Sequence, residues 1–157
     1  MKRTIIITTT IFFAILFFSF KTYAQRDEPV KWEINQEQLK NNEIMLTFTA
    51  KIDKSWHLYS PYNSKGGGLP LTIGLEDELD NKFELIDTII ESRKPIEVYD
   101  DIFEKTEIFF DDNVSFKQKI KVKTKSEFIL KVIISGQACR EDGRCVRIYK
   151  EFEIKIN

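Results

Sequence analysis

Two alternating apolar segments joined by a short polar turn decide the fold of this chain. They form the stretch FILKVIISGQACREDGRCVRIYKEFEIKI at residues 128–156. Apolar side chains recur at every second position of both halves: Phe128, Leu130, Val132 and Ile134, then Val146, Ile148, Phe152, Ile154 and Ile156, with Lys150 interrupting the second series. Strict alternation indicates half-buried β-strands, and Asp142-Gly143 is a strong hairpin signal. The stretch therefore predicts two antiparallel strands joined by a tight turn.

The only two cysteines of the chain, Cys139 and Cys145, flank this turn. Five residues separate them, so they can face each other at the tip of the hairpin. Opposed residues of antiparallel strands lie about 4.5–5.5 Å apart at Cα, and a disulfide accepts about 4.4–6.8 Å. The spacing therefore permits a disulfide without large backbone movement. Two thiols are too few for a closed structural zinc site, which needs four ligands.

Similar alternation recurs in the rest of the chain. It is strong at residues 44–52 and 114–122, where only Gln118 interrupts the second series. Shorter strands are predicted at residues 31–35, 56–59, 71–75, 83–86 and 107–110. Turn-like polar residues separate these segments, and none of them shows a sustained helical period. About nine short strands predict an all-β fold, an immunoglobulin-like antiparallel β-sandwich.

The N-terminus has the layout of a secretory signal peptide. Basic residues at Lys2 and Arg3 precede an apolar run at residues 4–20, and Ala24 follows with a small side chain. We expect cleavage after Ala24, export to the periplasm, and one domain at residues 25–157 that does not insert into the membrane. The alternative is an uncleaved N-terminal anchor. No cysteine directly follows the apolar run, which excludes a lipoprotein anchor.

Charge and composition narrow the function further. Without the leader, 21 basic and 25 acidic residues remain, interspersed along the chain. No basic stripe is present, so a nucleic-acid partner is not expected. His57 is the only histidine; it lies in a predicted strand, where we interpret it as a packed or surface residue. We expect no cofactor, no metal ion and a monomer.

The role of the cysteine pair stays open on these residues alone. Disulfides persist in oxidising compartments, both as structural bonds and as redox couples. Closing a ring of about seven residues stabilises by roughly 2.4 kcal/mol, against about 4.7 for a hundred-residue loop. The basic side chains Arg140, Arg144 and Arg147 would favour a thiolate, whereas Glu141 and Asp142 would oppose it. The residues alone therefore support a structural bond and a working redox couple about equally.

Three stretches of the chain together resemble a known family. They are DKSWHLY at residues 53–59, VYDDIFEKTEIF at residues 98–109, and the pair Cys139 and Cys145 near the C-terminal end. In order and spacing they are similar to the N-terminal periplasmic domain of DsbD, a transmembrane thiol-disulfide reductase. The resemblance implies an immunoglobulin-like sandwich with an exposed cysteine pair. It also implies electron transfer by dithiol–disulfide exchange with thioredoxin-fold proteins.

The same resemblance assigns roles to individual residues. By position, Ile102 and Phe103 would shield the cysteines as part of a cap loop that moves aside when a partner docks. Asp100 and Asp101 would be the acidic groups beside them, and Tyr59 would lie near the pair. By analogy, Cys145 would link to the partner and Cys139 would resolve the mixed disulfide.

Two expectations about partners follow. The sequence ends at Asn157, so we expect a stand-alone domain, without transmembrane and thioredoxin-like domains, whose electrons come from a separate membrane reductant. The rival hypothesis is a non-enzymatic exported β-sandwich that binds another protein. In that case the hairpin disulfide would be structural, and the aromatic side chains of Trp56, Tyr59 and Tyr62 would be exposed contacts.

Overall fold

The computed structural model describes residues 28–64, 66–77, 81–101 and 104–157. Within these ranges the chain forms ten β-strands and no helix. The strands are β1 (Val30–Gln38), β2 (Glu43–Ile52), β3 (Trp56–Tyr59), β4 (Thr72–Glu76), β5 (Phe83–Glu91), β6 (Ile96–Asp100), β7 (Lys105–Phe110), β8 (Val114–Val122), β9 (Phe128–Arg140) and β10 (Cys145–Ile156). The expected leader at residues 1–24 lies outside the described residues. In the part that is described, no helix could cross a membrane.

The strands form two antiparallel sheets. The four-stranded sheet has the order β1-β2-β8-β5, and the six-stranded sheet has the order β10-β9-β3-β7-β6. β4 pairs with β9 as well, beside the part of β9 that precedes its contact with β3. The predicted all-β, immunoglobulin-like sandwich is confirmed, because the two sheets enclose one hydrophobic core.

The core lies between the inner faces of the two sheets. Alternate side chains of β2, β8 and β9 fill it, and the fully buried ones include Leu46, Phe48, Phe116, Ile120, Leu130 and Ile134. Phe110 of β7 meets Phe116 of β8 edge to face, with ring centroids 5.8 Å apart. This contact joins the two sheets, and such pairs add to the stabilisation that burial provides.

The structure corrects the sequence analysis at β6. The sequence predicted no strand between those at residues 83–86 and 107–110, but residues 96–100 form β6, and its last residue, Asp100, pairs with Lys105 of β7. β6 is the outermost strand of its sheet, and it exposes Val98 and Tyr99 alike. Because neither side of the strand is well buried, its sequence carries no period-two pattern.

β5 continues to Glu91, beyond the strand predicted at residues 83–86, and a buried glutamine holds the bulge in its middle. The register of β5 against β8 shifts between Ile86 and Ile90, which is a β-bulge. Gln118 of β8 is 5% exposed, and its Nε2 donates to the carbonyl oxygens of Ile86 at 3.1 Å and Lys119 at 3.0 Å. A buried amide needs such partners. The residue that interrupts the apolar series thus lies inside the sandwich and holds the bulge.

Two isoleucines of β9 test which face of this strand carries the core. Ile134 is fully buried, whereas Ile129 is 45% exposed on the opposite face. We expect Ile134→Ala to lower the free energy of unfolding by about 2–5 kcal/mol because it leaves a cavity. The matched control Ile129→Ala should change it by less than about 1 kcal/mol. Urea unfolding measures both, and equal losses would contradict this arrangement of the core.

Candidate functional site at the hairpin tip

The β9–β10 hairpin places Cys139 opposite Cys145, and the two form a disulfide. Their Cα atoms are 4.1 Å apart. The backbone N–H of Arg140 donates to the carbonyl oxygen of Arg144 at 2.9 Å. The neighbouring cysteine pair is therefore of the non-hydrogen-bonded kind, in which opposed Cα atoms come closest. The predicted position of the pair at the hairpin is confirmed.

The turn beyond the cysteines is closed by its own hydrogen bonds. Gly143 has a φ of 82°, a left-handed conformation that glycine adopts without steric cost. Its N–H donates to the carbonyl oxygen of Arg140 at 2.9 Å, and the N–H of Arg144 donates to Asp142 Oδ1 at 3.1 Å. Arg140 also forms a 3.0 Å ion pair with Asp142. The turn therefore has its shape independently of the sulfur–sulfur bond.

The two cysteines differ in their access to solvent. Cys139 is 4% exposed, whereas Cys145, the first residue of an edge strand, is exposed. Thiol–disulfide exchange needs an attacking sulfur to reach one sulfur of the bond. Cys145 is therefore the more accessible of the two sulfur atoms to an incoming thiolate.

His57 lies on the other side of Cys139. β3 pairs with β9 so that His57 is opposite Cys139, on the outer face of the six-stranded sheet, away from the core. The imidazole packs against Phe109 of β7 with ring centroids 4.5 Å apart, and meets Tyr59 edge to face at 5.3 Å. The only histidine of the chain is thus a neighbour of the cysteine pair, which sequence analysis did not foresee.

Tyr59 lies on the same outer face, two residues beyond His57, beneath a loop. It is 5% exposed, and its hydroxyl donates to Glu107 Oε2 at 3.0 Å. The N–H of Gly68 donates to the other oxygen of the same carboxylate at 2.9 Å. Gly68 packs directly on the ring, where a Cβ atom would lie 2.0 Å from Tyr59. Glu107 therefore fastens the covering loop to Tyr59.

Burial sets the protonation of both rings. It lowers the pKa of His57, although the negative charges of Glu107, Glu141 and Asp111 oppose the change. Burial also raises the pKa of Tyr59, and the charge and hydrogen bond of Glu107 add to that effect. Near neutral pH the imidazole is therefore uncharged and the phenol keeps its proton.

The structure describes the predicted cap in part. Asp100 ends β6, and Asp101 is exposed in the turn that follows. The negative charge of Asp100 contributes to the raised pKa of Tyr59. Asp100 therefore lies within electrostatic reach of the outer face that carries Tyr59. Ile102 and Phe103 lie outside the described residues. The shielding role of these four residues stays a prediction.

The side chains of the rival hypothesis are placed differently from the expectation. Trp56 is 8% and Tyr59 5% exposed, so the prediction that both are exposed contacts is wrong, whereas Tyr62 is 52% exposed. Trp56 points into the core, and the guanidinium of Arg140 lies over its ring at 5.8 Å. Trp56 and Tyr59 therefore offer little surface to a partner, whereas Tyr62 remains accessible.

Comparison with known proteins assigns the family. The family model described as "Thiol:disulfide interchange protein DsbD, N-terminal" matches residues 26–156. The chain belongs to this family. The Cys139–Cys145 disulfide and membership of the DsbD N-terminal family together fit thiol–disulfide exchange in general. No curated protein sequence matches the chain.

Two solved structures share the fold of this DsbD N-terminal domain. The reduced DsbD N-terminal domain of Neisseria meningitidis superposes with a TM-score of 0.50 at 16% identity, covering 79% of this chain and 85% of that one. The N-terminal periplasmic domain of ScsB from Proteus mirabilis gives 0.56 at 13% identity, covering 83% of this chain and 47% of that one. The chain thus spans about half of the ScsB structure, and both likenesses concern the fold.

Gly68 tests whether the loop over Tyr59 is tightly packed. A methyl group there would collide with the Tyr59 ring, so we expect Gly68→Ala to lower the free energy of unfolding by about 1–3 kcal/mol. Gly74→Ala is the matched control, because its Cβ would meet its nearest neighbour at an ordinary 3.7 Å. Urea unfolding compares the two, and a Gly68→Ala protein as stable as the control would show that the loop does not cover Tyr59.

Proposed function

We propose that this domain carries out thiol–disulfide exchange in the periplasm, passing electrons through Cys139 and Cys145 to or from thioredoxin-fold proteins. One observation carries the proposal: the disulfide joins a buried and an exposed cysteine at the tip of a hairpin that its own hydrogen bonds already close. Membership of the DsbD N-terminal family supports the same reaction.

The hairpin has little need of a structural disulfide. β9 and β10 pair continuously from Cys139–Cys145 to Phe128–Ile156. The turn adds the hydrogen bonds of Gly143 and Arg144. Closing so short a ring stabilises by at most about 2.4 kcal/mol on the chain-entropy account, and a turn that is already ordered reduces this gain. A bond with this small structural contribution is suited to being opened and closed.

The exchange proceeds in two balanced steps. In the reduced domain, the Cys145 thiolate attacks one sulfur of the partner's disulfide, and the partner's other sulfur leaves as a thiolate and takes up a proton. The Cys139 thiol then loses its proton, and its sulfur attacks Cys145. The mixed disulfide breaks, and the partner's second sulfur leaves with the electron pair. The domain is oxidised to a disulfide and the partner is reduced to a dithiol.

Exposure supports the assignment of the two roles. Cys145 is exposed at the start of an edge strand, so a partner's sulfur can approach it. Cys139 is nearly buried between His57 and Cys145 on the strands to either side, so it reacts within the domain. We therefore assign partner linkage to Cys145 and resolution to Cys139, as the sequence analysis expected by analogy.

The proposal also covers the mature form of the domain, its source of electrons and the cap over the cysteine pair. We propose a mature domain at residues 25–157, released by cleavage after Ala24, which receives electrons from a separate membrane reductant. Asp100, Asp101, Ile102 and Phe103 would form the cap that shields the reduced pair and moves aside for a partner. Asp100 is the last residue of β6, which pairs with β7, and Phe109 of β7 contacts His57.

Single-cysteine variants test the exchange directly. The partner is a periplasmic thioredoxin-fold protein that keeps one active-site cysteine, activated as a mixed disulfide with nitrothiobenzoate. We expect Cys139→Ser to displace the nitrothiobenzoate and form a mixed disulfide that persists, because neither protein retains a resolving thiol. Cys145→Ser is the matched control, and it should form at least about tenfold less of the adduct because its remaining thiol is buried. Non-reducing electrophoresis with mass spectrometry measures both.

The absence of a mixed disulfide with Cys139→Ser would contradict the exchange function and favour the rival binding module. An adduct that forms equally well with Cys145→Ser would contradict the assignment of roles. Folding of both variants is checked by near-ultraviolet circular dichroism, to which the buried Trp56 and Tyr59 contribute.

A further inference from the structure

We propose that His57 accepts the proton of the Cys139 thiol when that thiol resolves a mixed disulfide. This role rests on the proposed exchange function, because it concerns the second step of that reaction. The observation behind it is that the only histidine of the chain stands opposite the buried cysteine in the pairing of β3 with β9.

Cys139 needs a proton acceptor within the protein. The thiolate, not the thiol, is the nucleophile, and burial raises the pKa of a thiol. Cys139 is 4% exposed, so bulk water has little access to its sulfur. A free thiol with a pKa of about 8.5 is only about 3% ionised at pH 7. A group that removes the proton therefore speeds the resolving step.

His57 is held in position for this role. Side chains directly opposite on neighbouring antiparallel strands have Cβ atoms about 4.5–5.5 Å apart and interact across the strands. The imidazole is also packed between Phe109 and Tyr59, at centroid distances of 4.5 and 5.3 Å. These contacts restrict the rotation of the ring and keep it on the outer face of the sheet, the face that also carries Cys139.

Within the described part of the chain, the charged groups that act on the pKa of His57 are three carboxylates, on β7, on the loop after it and on the β9–β10 turn. They are Glu107, Asp111 and Glu141 respectively. Tyr59, on the same strand, is a further titratable neighbour, and its raised pKa keeps it protonated. All three carboxylates favour a positive charge on His57, so they would stabilise the imidazolium that proton transfer creates.

Two of the carboxylates are engaged elsewhere, which leaves His57 the better acceptor. Both oxygens of Glu107 accept hydrogen bonds, from the Tyr59 hydroxyl and the Gly68 N–H. Asp111 is 3.8 Å from the guanidinium of Arg93. Neutral imidazole is also more basic than an ordinary carboxylate. Burial lowers the pKa of His57, so near neutral pH its nitrogen is free to accept a proton.

The step is balanced as follows. The S–H proton of Cys139 moves to an imidazole nitrogen of His57, and the Cys139 sulfur attacks Cys145. The bond between Cys145 and the partner's sulfur breaks, and that sulfur leaves with the electron pair. The imidazolium then returns its proton to the departing thiolate or to water. His57 ends the cycle neutral, so the acceptor is ready for another turn.

The first test is the titration of His57 by proton NMR. As the only histidine, it gives an unambiguous ring signal in protein without a histidine tag. In the disulfide form we expect one titration step, below the ordinary histidine pKa of about 6.5. In the reduced form we expect a second step at the pKa at which Cys139 ionises, because coupled groups report each other's titration. The same single step in both forms would overturn the proposal.

The second test measures the resolving step without a protein partner. The reduced domain is mixed with dithiobis(nitrobenzoate), an aromatic disulfide that releases one coloured thiolate when Cys145 attacks and another when Cys139 resolves. Near pH 7, we expect the second release to be about tenfold slower in both His57→Gln and His57→Phe. Full ionisation of a thiol with the ordinary pKa of about 8.5 would accelerate its attack about 30-fold, and burial increases this margin.

The pH dependence has a definite sign. Below the pKa of His57 the imidazole is already protonated and cannot accept, so the advantage of the wild-type domain disappears as the pH falls. Above the pKa of the Cys139 thiol the sulfur ionises unaided, and the advantage disappears again. His57→Phe keeps the aromatic packing against Phe109 and Tyr59. A purely structural role predicts a normal rate for that variant, which would overturn the proposal.

These outcomes separate the proposal from the function on which it rests. If the wild-type domain releases only one coloured thiolate, the pair does not close by exchange, and both the proposed function and the role of His57 fail. If all three proteins release both thiolates with the same pH profile, the exchange function stands and the role of His57 fails.

Discussion

The register of β9 is the constraint on which the rest of the structure depends. This strand of 13 residues pairs with β10 along one edge and with β4 and β3 along the other. Its inner face carries Leu130, Val132 and Ile134 into the core. A slip of one residue would turn these side chains outward and Cys139 inward. The burial of the core thereby fixes the position of Cys139 between Cys145 and His57.

The cysteine pair lies where its disulfide contributes little to the stability of the fold. A structural disulfide stabilises most when it closes a long loop, whereas this one closes a turn that the hydrogen bonds of Gly143 and Arg144 already hold. The sandwich core lies behind it and does not include the sulfur atoms of the outer face. We therefore expect the ladder and the core to stay intact when the bond opens, as the proposed exchange function requires.

Local patterns made the hairpin and its cysteine pair predictable. The alternation of residues 128–156, the Asp142-Gly143 turn and the cysteine spacing are all contained in one short stretch, and the all-β class follows from similar alternation elsewhere. His57 was not predictable in the same way, because its neighbourhood with Cys139 arises from the pairing of strands far apart in sequence. The sequence did not predict β6, because an exposed edge strand has no buried face and so shows no alternation of apolar and polar residues.

Buried polar and aromatic groups were the other limit of sequence reasoning. Gln118 interrupts an apolar series, yet it lies inside, where the carbonyl oxygens of a bulge satisfy its amide. Trp56 and Tyr59 are aromatic, as contact residues often are. However, Trp56 is packed in the core, and the loop fastened by Glu107 covers Tyr59. Only the tertiary arrangement decides such cases, because each depends on what a distant segment places over the side chain.

The reduction potential of the Cys139–Cys145 pair tests the central claim most directly. It is measured by equilibrating the domain with thiol–disulfide buffers of known potential and counting free thiols by mass spectrometry. A working couple should lie above about −300 mV, in the range of about −120 to −270 mV that thioredoxin-fold oxidoreductases occupy. A potential below about −300 mV would identify a structural bond and contradict the account.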